Sequence, residues 1–590
     1  MASEYGAEGL AKRSRYDSLL AALKSERSSF DPLWRDLGDW IFPRRYRFQP
    51  SDRNRSAGRK QDQKILDSTA RFSVRTLQSG LHAGLTSPAR PWMRLTTPNQ
   101  DLAEQQPVKE WLHVVTQRML TVFQQTNLYN TLPIVYGDMG VFGTAAMSVV
   151  DDTKDLFRCY AYPVGSYVLG LDARNLVTTF AREYQLTVRQ VVEQFGVVRP
   201  TSRDIDWSML STTVKSLWDR GQYEAAVDVT WIITPNEQAD PQKLAAKYLP
   251  FSSCYYETGS TEQKYLRESG FRTFPIMAPR WDVTGEDTYG TDSPGITALA
   301  DVKQLQHEQA MKAKAINKMV DPPVMAPTVL KTQTTGLHAG EITYVDVREG
   351  MAGMRSVYDL RINLADMSAD IQSVQYRIQR AFYEDLFLML ARSDQMRGAQ
   401  PLTAREVEER HEEKLLALGP VLERTNDELL EPLIDRVYAM MDEAGFIPDP
   451  PPQIQGKQLK VEYTSIMAQA QKLVSVVGQD RFSMTVQPLT QLYPEAKYKL
   501  DVFQLVDNYG EMLGVDPRII VPSDEAKQAM AADQQQAAAA QQAQQMALGA
   551  KAMKDASQAD LSGDNALNRM VDAATAGGGV APPAGQATPV

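Results

Sequence analysis

The sequence predicts an α+β fold, and three observations carry that prediction. Apolar residues recur at helical spacing through roughly the first 144 residues, alternate in strand fashion from 145 to 292, and return to long helical stretches from 293 onward. A chain of 590 residues is too long for one ordinary domain, and the length alone suggests about four domain-sized units. Hydrophobic residues make up 43% of it, enough to bury a core along most of its length.

Phe30, Leu33, Trp34, Leu37 and Ile41 recur at three- and four-residue steps, which predicts a helix from about residue 8 to Ile41, stopped by Pro43. Asp67 to Leu85 reads as a second helix, ended by Ser87-Pro88. Trp111, Val115, Met119 and Val122 mark a third helical face, after which Gly137, Gly140 and Gly143 are expected to loosen the chain. Val227, Val229, Trp231 and Ile233 alternate with Asp228, Thr230 and Ile232, the pattern of a half-buried strand. Glu257-Thr258-Gly259-Ser260 predicts a hairpin turn between Phe251–Tyr256 and Gln263–Leu266. One short helix interrupts the β region, with Thr187 as N-cap and Gly196 just past its end.

Ser293-Pro294 is a good helix start, because proline at the first helical position loses no hydrogen bond. That helix is expected to run to about Val320 and to end at Asp321-Pro322-Pro323. A short β-like stretch, Val324 to Val347, follows, and then a second long helix from about Asn363 to Arg392. Ser393 to Pro401 is polar and reads as a loop. Thr403 with Glu406 forms a capping box that opens a third long helix, to about Ala444. Pro420 and Pro432 lie inside this last span, so it should be kinked or split. Between Ala526 and Ala547, 18 of 22 residues are Ala or Gln, which favours helix but offers no wide apolar stripe for docking. Gly577 to Val590 is rich in Gly, Pro and Ala and is expected to be disordered.

The formal net charge is −10, so the whole chain is no DNA clamp. Basic residues cluster once, at Arg44, Arg45, Arg47, Arg53, Arg55, Arg59 and Lys60. Such a stretch reads as a solvated loop or as a contact with nucleic acid or an acidic neighbouring subunit. Two cysteines, Cys159 and Cys254, make no disulfide framework and fit a reducing compartment. No run reaches the roughly 18 apolar residues of a membrane span, and Met1 to Arg15 has no apolar signal core. A cytoplasmic place of synthesis is expected.

Catalytic motifs are absent. There is no GxxxxGK[ST] phosphate loop, since the only Gly-Lys pair, Gly456-Lys457, is followed by Gln458. His82, His113, His307, His338 and His411 are scattered, and none stands at metal-ligand spacing. Ser79 lacks the flanking glycine of a nucleophile elbow. Asp151, Asp152 and Asp155 read as a polar turn more readily than as a hydrolytic cluster. No catalytic, cofactor-binding or metal residue is expected, which favours a structural protein. One helical signal stands out: Leu364, Met367, Ile371, Val374 and Ile378 are spaced three, four, three, four. This narrow seam suits a helix that touches slender neighbours, such as the same helix in adjacent subunits, although an ordinary amphipathic helix gives a similar pattern.

Several ordered motifs then combine. They are WRDLGDWIFP from Trp34 to Pro43, Asp67-Ser68-Thr69-Ala70, and SGLHAGLTSPARPWMRL from Ser79 to Leu95. YGTDSPG follows at Tyr289 to Gly295, then a long helix and Asp321-Pro322-Pro323. AFYEDLFLML from Ala381 to Leu390 precedes Leu402-Thr403-Ala404-Arg405-Glu406-Val407, Leu418-Gly419-Pro420-Val421 and Glu428-Leu429-Leu430-Glu431-Pro432-Leu433-Ile434. In this order, over roughly residues 10 to 450, the chain resembles the head-to-tail connector (portal) proteins of short-tailed bacteriophages.

That resemblance implies the portal fold, in a ring of about twelve subunits. Residues 1–144 would be a helical wing part and 145–292 a β-rich wing part. Residues 293–320 and 363–392 would be two stem helices flanking a clip at 321–362. Residues 393–401 would be a tunnel loop, 402–445 a kinked wing helix, 446–525 a crown-proximal region and 526–590 an Ala/Gln-rich helical or disordered tail. Arg392, Ser393, Asp394, Gln395, Met396 and Arg397 become candidates for the loop that faces DNA. Leu364, Met367, Ile371, Val374 and Ile378 become candidates for the subunit seam. The implied role is a portal vertex subunit in the virion, assembled in the host cytoplasm, whose channel serves genome packaging and ejection. Implied partners are further copies of the chain, double-stranded DNA in the channel, a terminase, a tail adaptor, and major capsid and scaffolding proteins, with no cofactor and no membrane span. Two rival classes are another structural virion protein (a scaffold or internal core protein) and a DNA-processing enzyme such as a packaging nuclease. The latter would need clustered metal carboxylates.

Overall fold

The computed structural model describes residues 2–50, 64–99, 105–152, 154–197, 204–243, 245–260, 264–320, 364–393, 418–457, 459–464 and 523–558, with residues 102, 262, 324–325, 355–356, 502, 505–506 and 521. The chain divides into two units, Met1–Pro494 and Glu495–Val590.

Helix and strand both contribute to the first unit, as the alternating periodicities predict. The expected N-terminal helix is two helices, α1 (Ala2–Arg27) and α2 (Asp31–Trp40). The chain restarts because Pro32 occupies the first turn of α2, where its missing donor costs nothing. Before it, the hydroxyls of Ser28 and Ser29 turn back onto the carbonyls of Ser25 and Glu26, at 2.6 and 3.0 Å. Trp34 and Leu37 of α2 are fully buried, and the Trp34 indole donates to the Phe142 carbonyl at 3.1 Å.

Three more helices complete this layer: α3 (Thr69–Leu85), α4 (Gln106–Gln125) and α5 (Leu128–Phe142). Trp111, Val115 and Met119 form the buried face of α4, as their spacing predicts. The glycines at 137, 140 and 143 do not loosen the chain. Gly137 and Gly140 lie inside α5, where a Cβ would collide with Gln78 and Leu77 of α3. They let two helices approach closely. Gly143 ends α5 in the left-handed conformation, at φ 76°.

The β region holds two main sheets. β2 (Ala146–Asp152) pairs with β3 (Leu156–Tyr162) and with the short β9 (Ile276–Met277). Beside them runs an antiparallel five-stranded meander: β4 (Tyr167–Leu171), β5 (Val177–Thr187), β6 (Ala226–Pro235), β7 (Phe251–Glu257) and β8 (Tyr265–Phe271). Gly259, at φ 71°, makes the β7–β8 turn where the sequence places it.

β6 is not half-buried. From Val229 to Ile233 both of its faces are buried. Trp231 and Ile233 face the main core, while Ile232 packs with Tyr16, Leu20 and Leu23 of α1, Val168, Ala181, Cys254 and Tyr256. The N-terminal helix thus lies over the sheet face expected to meet water. Cys159 and Cys254 are both buried and unpaired. Burial pushes the Cys159 thiol up to about 12, and the Cys254 thiol upward as well, which suppresses the reactive thiolate.

Between β5 and β6 the chain makes a small helical excursion. Thr187 and Gln190 close a full capping box at the start of α6 (Val188–Val191), and a π-helical turn, Val192–Gly196, carries the chain to the expected glycine stop. A helix over Thr212–Asp219, α7, is capped by Ser211.

The long helices follow. α8 spans Pro294–Val320, with both ends where they were expected. Of the β-like stretch expected over Val324–Val347, the described residues are Val324–Met325 (β10); they pair antiparallel with Arg355–Ser356 (β11), beyond that stretch, in a two-residue ladder. The helix expected over 363–392 is broken into α9 (Leu364–Ala381) and α10 (Glu384–Ser393). The break needs neither Pro nor Gly. Phe382 is fully buried, Tyr383 adopts φ 55°, and the Tyr383 ring stacks on Trp281. Tertiary packing turns the chain there.

The Thr403/Glu406 capping box lies outside the described residues. Residues 418–425 are helical, pass into a π-helical turn at Asn426–Leu430, and continue as α11 (Glu431–Glu443). Pro432 occupies the first turn of α11. The split expected from this proline therefore takes the form of one widened turn, with the Glu431 amide donating to the Asn426 carbonyl. Beyond it, β12 (Lys460–Tyr463) pairs with β1 (Met93–Thr96), bringing the post-helical segment back onto the N-terminal layer. In the second unit the Ala/Gln stretch is part of one helix, α12 (Ser523–Gln558), exposed from Lys527 to Leu548.

Candidate channel and subunit-contact elements

α8 and α9 form an antiparallel pair, and polar contacts fix its register. The Lys312 ammonium donates to the Ser368 hydroxyl at 3.0 Å, and the Arg377 guanidinium donates to Asp301 at 3.1 Å. Ala298, Val302 and Leu305 of α8 are buried, as are Ile371, Val374 and Ile378 of α9. α9 packs against both α8 and α3. Three of the five seam residues are thus covered within this chain, while Leu364 and Met367 are half-buried. A narrow stripe is enough because two slender helices of the same chain fill it.

The pair is rooted in the body through Asp67, the first residue of the Asp67-Ser68-Thr69-Ala70 motif. The Leu66 and Asp67 amides donate to the Gln306 side-chain oxygen at 2.6 and 2.9 Å, and the Gln306 amide returns a bond to the Asp67 carbonyl at 2.8 Å. The Asp67 carboxylate accepts from Gln309 at 3.0 Å, from Gln375 at 2.8 Å and from the Thr69 amide at 2.8 Å. One short acidic side chain therefore ties α3, α8 and α9 together. Burial alone would raise its pKa. The bonds from Thr69, Gln375 and Gln309 outweigh burial and hold the carboxyl below its usual value.

The start of α8 is fixed from the other side. Ser293 donates to the Val141 carbonyl at 3.0 Å and caps the Ile296 amide. Tyr289, fully buried, packs edge-on against Trp34 at 5.1 Å, and its hydroxyl oxygen accepts a hydrogen bond from the Leu169 amide at 3.0 Å. Gly295 sits so close to Val141 that a Cβ would strike its backbone. The WRDLGDWIFP and YGTDSPG motifs therefore meet in space.

A second anchor joins the β region to the π turn. Arg280, buried, grips Glu428 through Nη2 at 2.7 Å and Nε at 3.1 Å, and its own amide donates to the same carboxylate at 2.8 Å. Its remaining donors reach the Asp287 and Asn175 carbonyls at 3.2 Å. Further along, Arg436 is buried against the Val149 carbonyl at 2.7 Å and Thr273 at 2.9 Å. No local motif announces these long-range clamps.

Of the proposed loop residues, Arg392 and Ser393 form the last turn of α10; Asp394, Gln395, Met396 and Arg397 lie outside the described residues. In the basic stretch, Arg45 is an internal residue paired with Asp138, which is 1% exposed; Arg53 to Lys60 lie outside the described residues. Asp152 accepts the Lys154 amide at 3.0 Å in a turn after β2. His82 is half-buried, contacts Thr86 at 3.3 Å, and has its pKa lowered by burial. Among the described residues no group of His, Cys, Asp or Glu has the arrangement of a metal site, and no helix is long and apolar enough to cross a membrane.

The family model for the bacteriophage head to tail connecting protein matches residues 13–521. The chain belongs to that family, whose members are structural proteins. It is 44% identical over 576 residues to the "Portal protein" of Salmonella phage epsilon15, covering 96% of this chain and 99% of that one. It is 41% identical over 551 residues to the "Probable portal protein" of Bordetella phage BPP-1, covering 92% and 95%. A solved neck structure from an empty gene transfer agent (GTA) particle aligns with a TM-score of 0.29 and 11% identity, over 67% of this chain and 80% of that one.

Proposed function

We propose that the chain is one subunit of a ring-shaped portal at a capsid vertex, through whose channel the phage genome is packaged and ejected. The observation that carries this reading is the near full-length similarity to two chains named as portal proteins. In this reading residues 1–144 and 145–292 build the wing, α8 and α9 with α10 are the stem, and 321–362 is the clip. Residues 402–445 cross the wing, 446–525 lie next to the crown, and 526–590 form the tail. About twelve copies would close the ring. A terminase would dock at the clip, a tail adaptor would follow it, and capsid and scaffolding proteins would surround the wing.

The charge balance suits a conduit. A formal −10 per copy lets DNA pass without a tight phosphate grip. Residues 393–401, with Arg392 and Arg397 against Asp394, are the proposed contact with moving DNA. Deleting 394–400 should leave rings intact and change how much DNA is packaged or retained. Negative-stain imaging of the purified full chain tests the reading directly. Rings with a central hole are expected; monomers or filaments alone would overturn it.

A further inference from the structure

We infer that the pocket between α1 and β5 receives one carboxylate side chain, the Asp or Glu of an acidic peptide presented by another polypeptide, with the Arg182 guanidinium as its grip. The inference stands on the first unit alone and does not depend on the portal reading. The pocket measures about 150 Å³ and lies where the five-stranded sheet narrows. β4 begins with Tyr167 opposite Arg182, while β5 runs on to Thr187. Before β4 the chain leaves the sheet in a turn, with the Ser166 amide donating to the Pro163 carbonyl at 3.1 Å and Gly165 at φ 82°. The end of α1 and residues 47–50 close the remaining sides.

Four basic residues line this pocket, Lys24, Arg27, Arg47 and Arg182, against one acid, Glu183. Three of the four are engaged within the chain. The Lys24 ammonium pairs with Glu183 at 2.7 Å. The Arg27 guanidinium lies 3.2 Å from the Asp31 carboxylate and donates to the Tyr167 carbonyl at 3.0 Å. Arg47 also has interactions within the chain. Arg182 differs. Among the described residues no carboxylate pairs with it, and its Nε is buried without a hydrogen-bond partner. Its guanidinium lies over two tyrosine rings, 4.3 Å from the Tyr162 centroid and 4.5 Å from that of Tyr184. Rings that attract a cation also fix the plane of a guanidinium, so less freedom is lost when a ligand arrives. Arg182 is half-buried with Nε covered, so a ligand meets it at the Nη edge, where the fork offers two parallel donors.

Size and charge select the ligand. Ordinary small-molecule pockets begin near about 300 Å³. At about 150 Å³ this one admits the end of a single side chain. Arg182 supplies the charge that is left without an acid, and one such charge matches a carboxylate. A phosphate group carries nearly twice that charge and would meet Glu183 in the same wall. Phe48, Pro50, Pro163 and Leu186 add ring and aliphatic surface, which suits the methylene stem of a Glu more than a phosphate.

The test is ligand-observed NMR on the purified full-length chain. The probe is an acetylated, amidated Gly-Glu-Gly tripeptide, and its Gly-Gln-Gly counterpart is the neutral control. The Glu probe should bind, and the Gln probe should bind about tenfold more weakly or worse. Arg182→Gln should weaken the Glu probe by about tenfold or more. Arg182→Lys should weaken it less, because the charge stays while the fork is lost. Glu183→Gln should tighten it by about threefold, since Lys24 is then released to the ligand. A purely structural Arg182 would leave the ratio of Glu to Gln binding unmoved. Circular dichroism establishes that each variant is folded. If Arg182→Gln does not fold, Glu183→Gln decides alone: tighter binding supports the site, and unchanged or weaker binding overturns it. Equal binding of the two probes, or a folded Arg182→Gln that binds as wild type does, also overturns it. Inorganic phosphate, or a short DNA duplex at low salt, binding through Arg182 more tightly than the Glu probe would show a phosphate site and overturn the carboxylate assignment. None of these outcomes bears on ring formation, so the portal reading is tested separately.

Discussion

Removing the carboxylate of Glu428 should destabilise the first unit more than any surface change nearby. Arg280 has a side chain 5% exposed, and among the described residues Glu428 is the one acid that pairs with it. Glu428→Gln preserves the shape and removes the charge. Breaking a buried pair from one side leaves an uncompensated cation and typically costs about 3–5 kcal/mol. The Asp287 and Asn175 carbonyls still hold part of the guanidinium, so the lower end, about 3 kcal/mol, is expected. Trp281 is the next residue and provides a local reporter. Urea unfolding followed by tryptophan fluorescence should show an earlier first transition. Arg280→Leu with Glu428→Leu should recover part of the loss, because neither charge is then stranded. A midpoint for Glu428→Gln within about 0.5 kcal/mol of wild type would refute the argument, as would strictly additive losses in the double variant.

Further predictions concern other parts of the first unit. Gly295→Ala should cost about 1–3 kcal/mol, because its Cβ meets the Val141 backbone, which cannot rotate away; thermal melts check this. Ile371→Asp should lower the soluble yield of the folded chain before any question of ring formation arises, since Ile371 is 4% exposed in the core. Asp67 has a depressed pKa in the folded state, so its contribution to stability is present above its unfolded value near ~3.9 and is lost as pH falls through the folded value. Asp67→Asn should therefore flatten that acid limb, measured as unfolding midpoint against pH; an unchanged slope would argue against the Asp67 junction.

Local patterns in the sequence located most single elements. α8 was legible because Pro294 marks its start and the prolines at 322 and 323 follow its end. The Thr187 capping box and the Gly259 turn were legible because their chemistry is local. Features decided by distant partners were not. β6 reads as half-buried until α1, about two hundred residues earlier, covers its second face. Gly137 and Gly140 read as flexible until α3 is set beside them. The break at Tyr383 has no breaker residue and depends on Trp281. The stripe on α9 is narrow, but spacing alone does not say whether its partner is this chain or another.

The π turn at Asn426–Leu430 also bears on how this helix tolerates changes in length. Glu428 and Arg436 are eight residues apart, and on an unbroken helix they would point about 80° away from each other. The extra residue in the widened turn takes out part of that angle. Both side chains thereby reach the same β-rich layer, one at Arg280 and the other at Val149 and Thr273. The turn works as a spacer that keeps two grips in phase. Replacing a residue inside it would alter one contact. Deleting one would rotate everything after it by about 100° and pull one of the two grips out of reach.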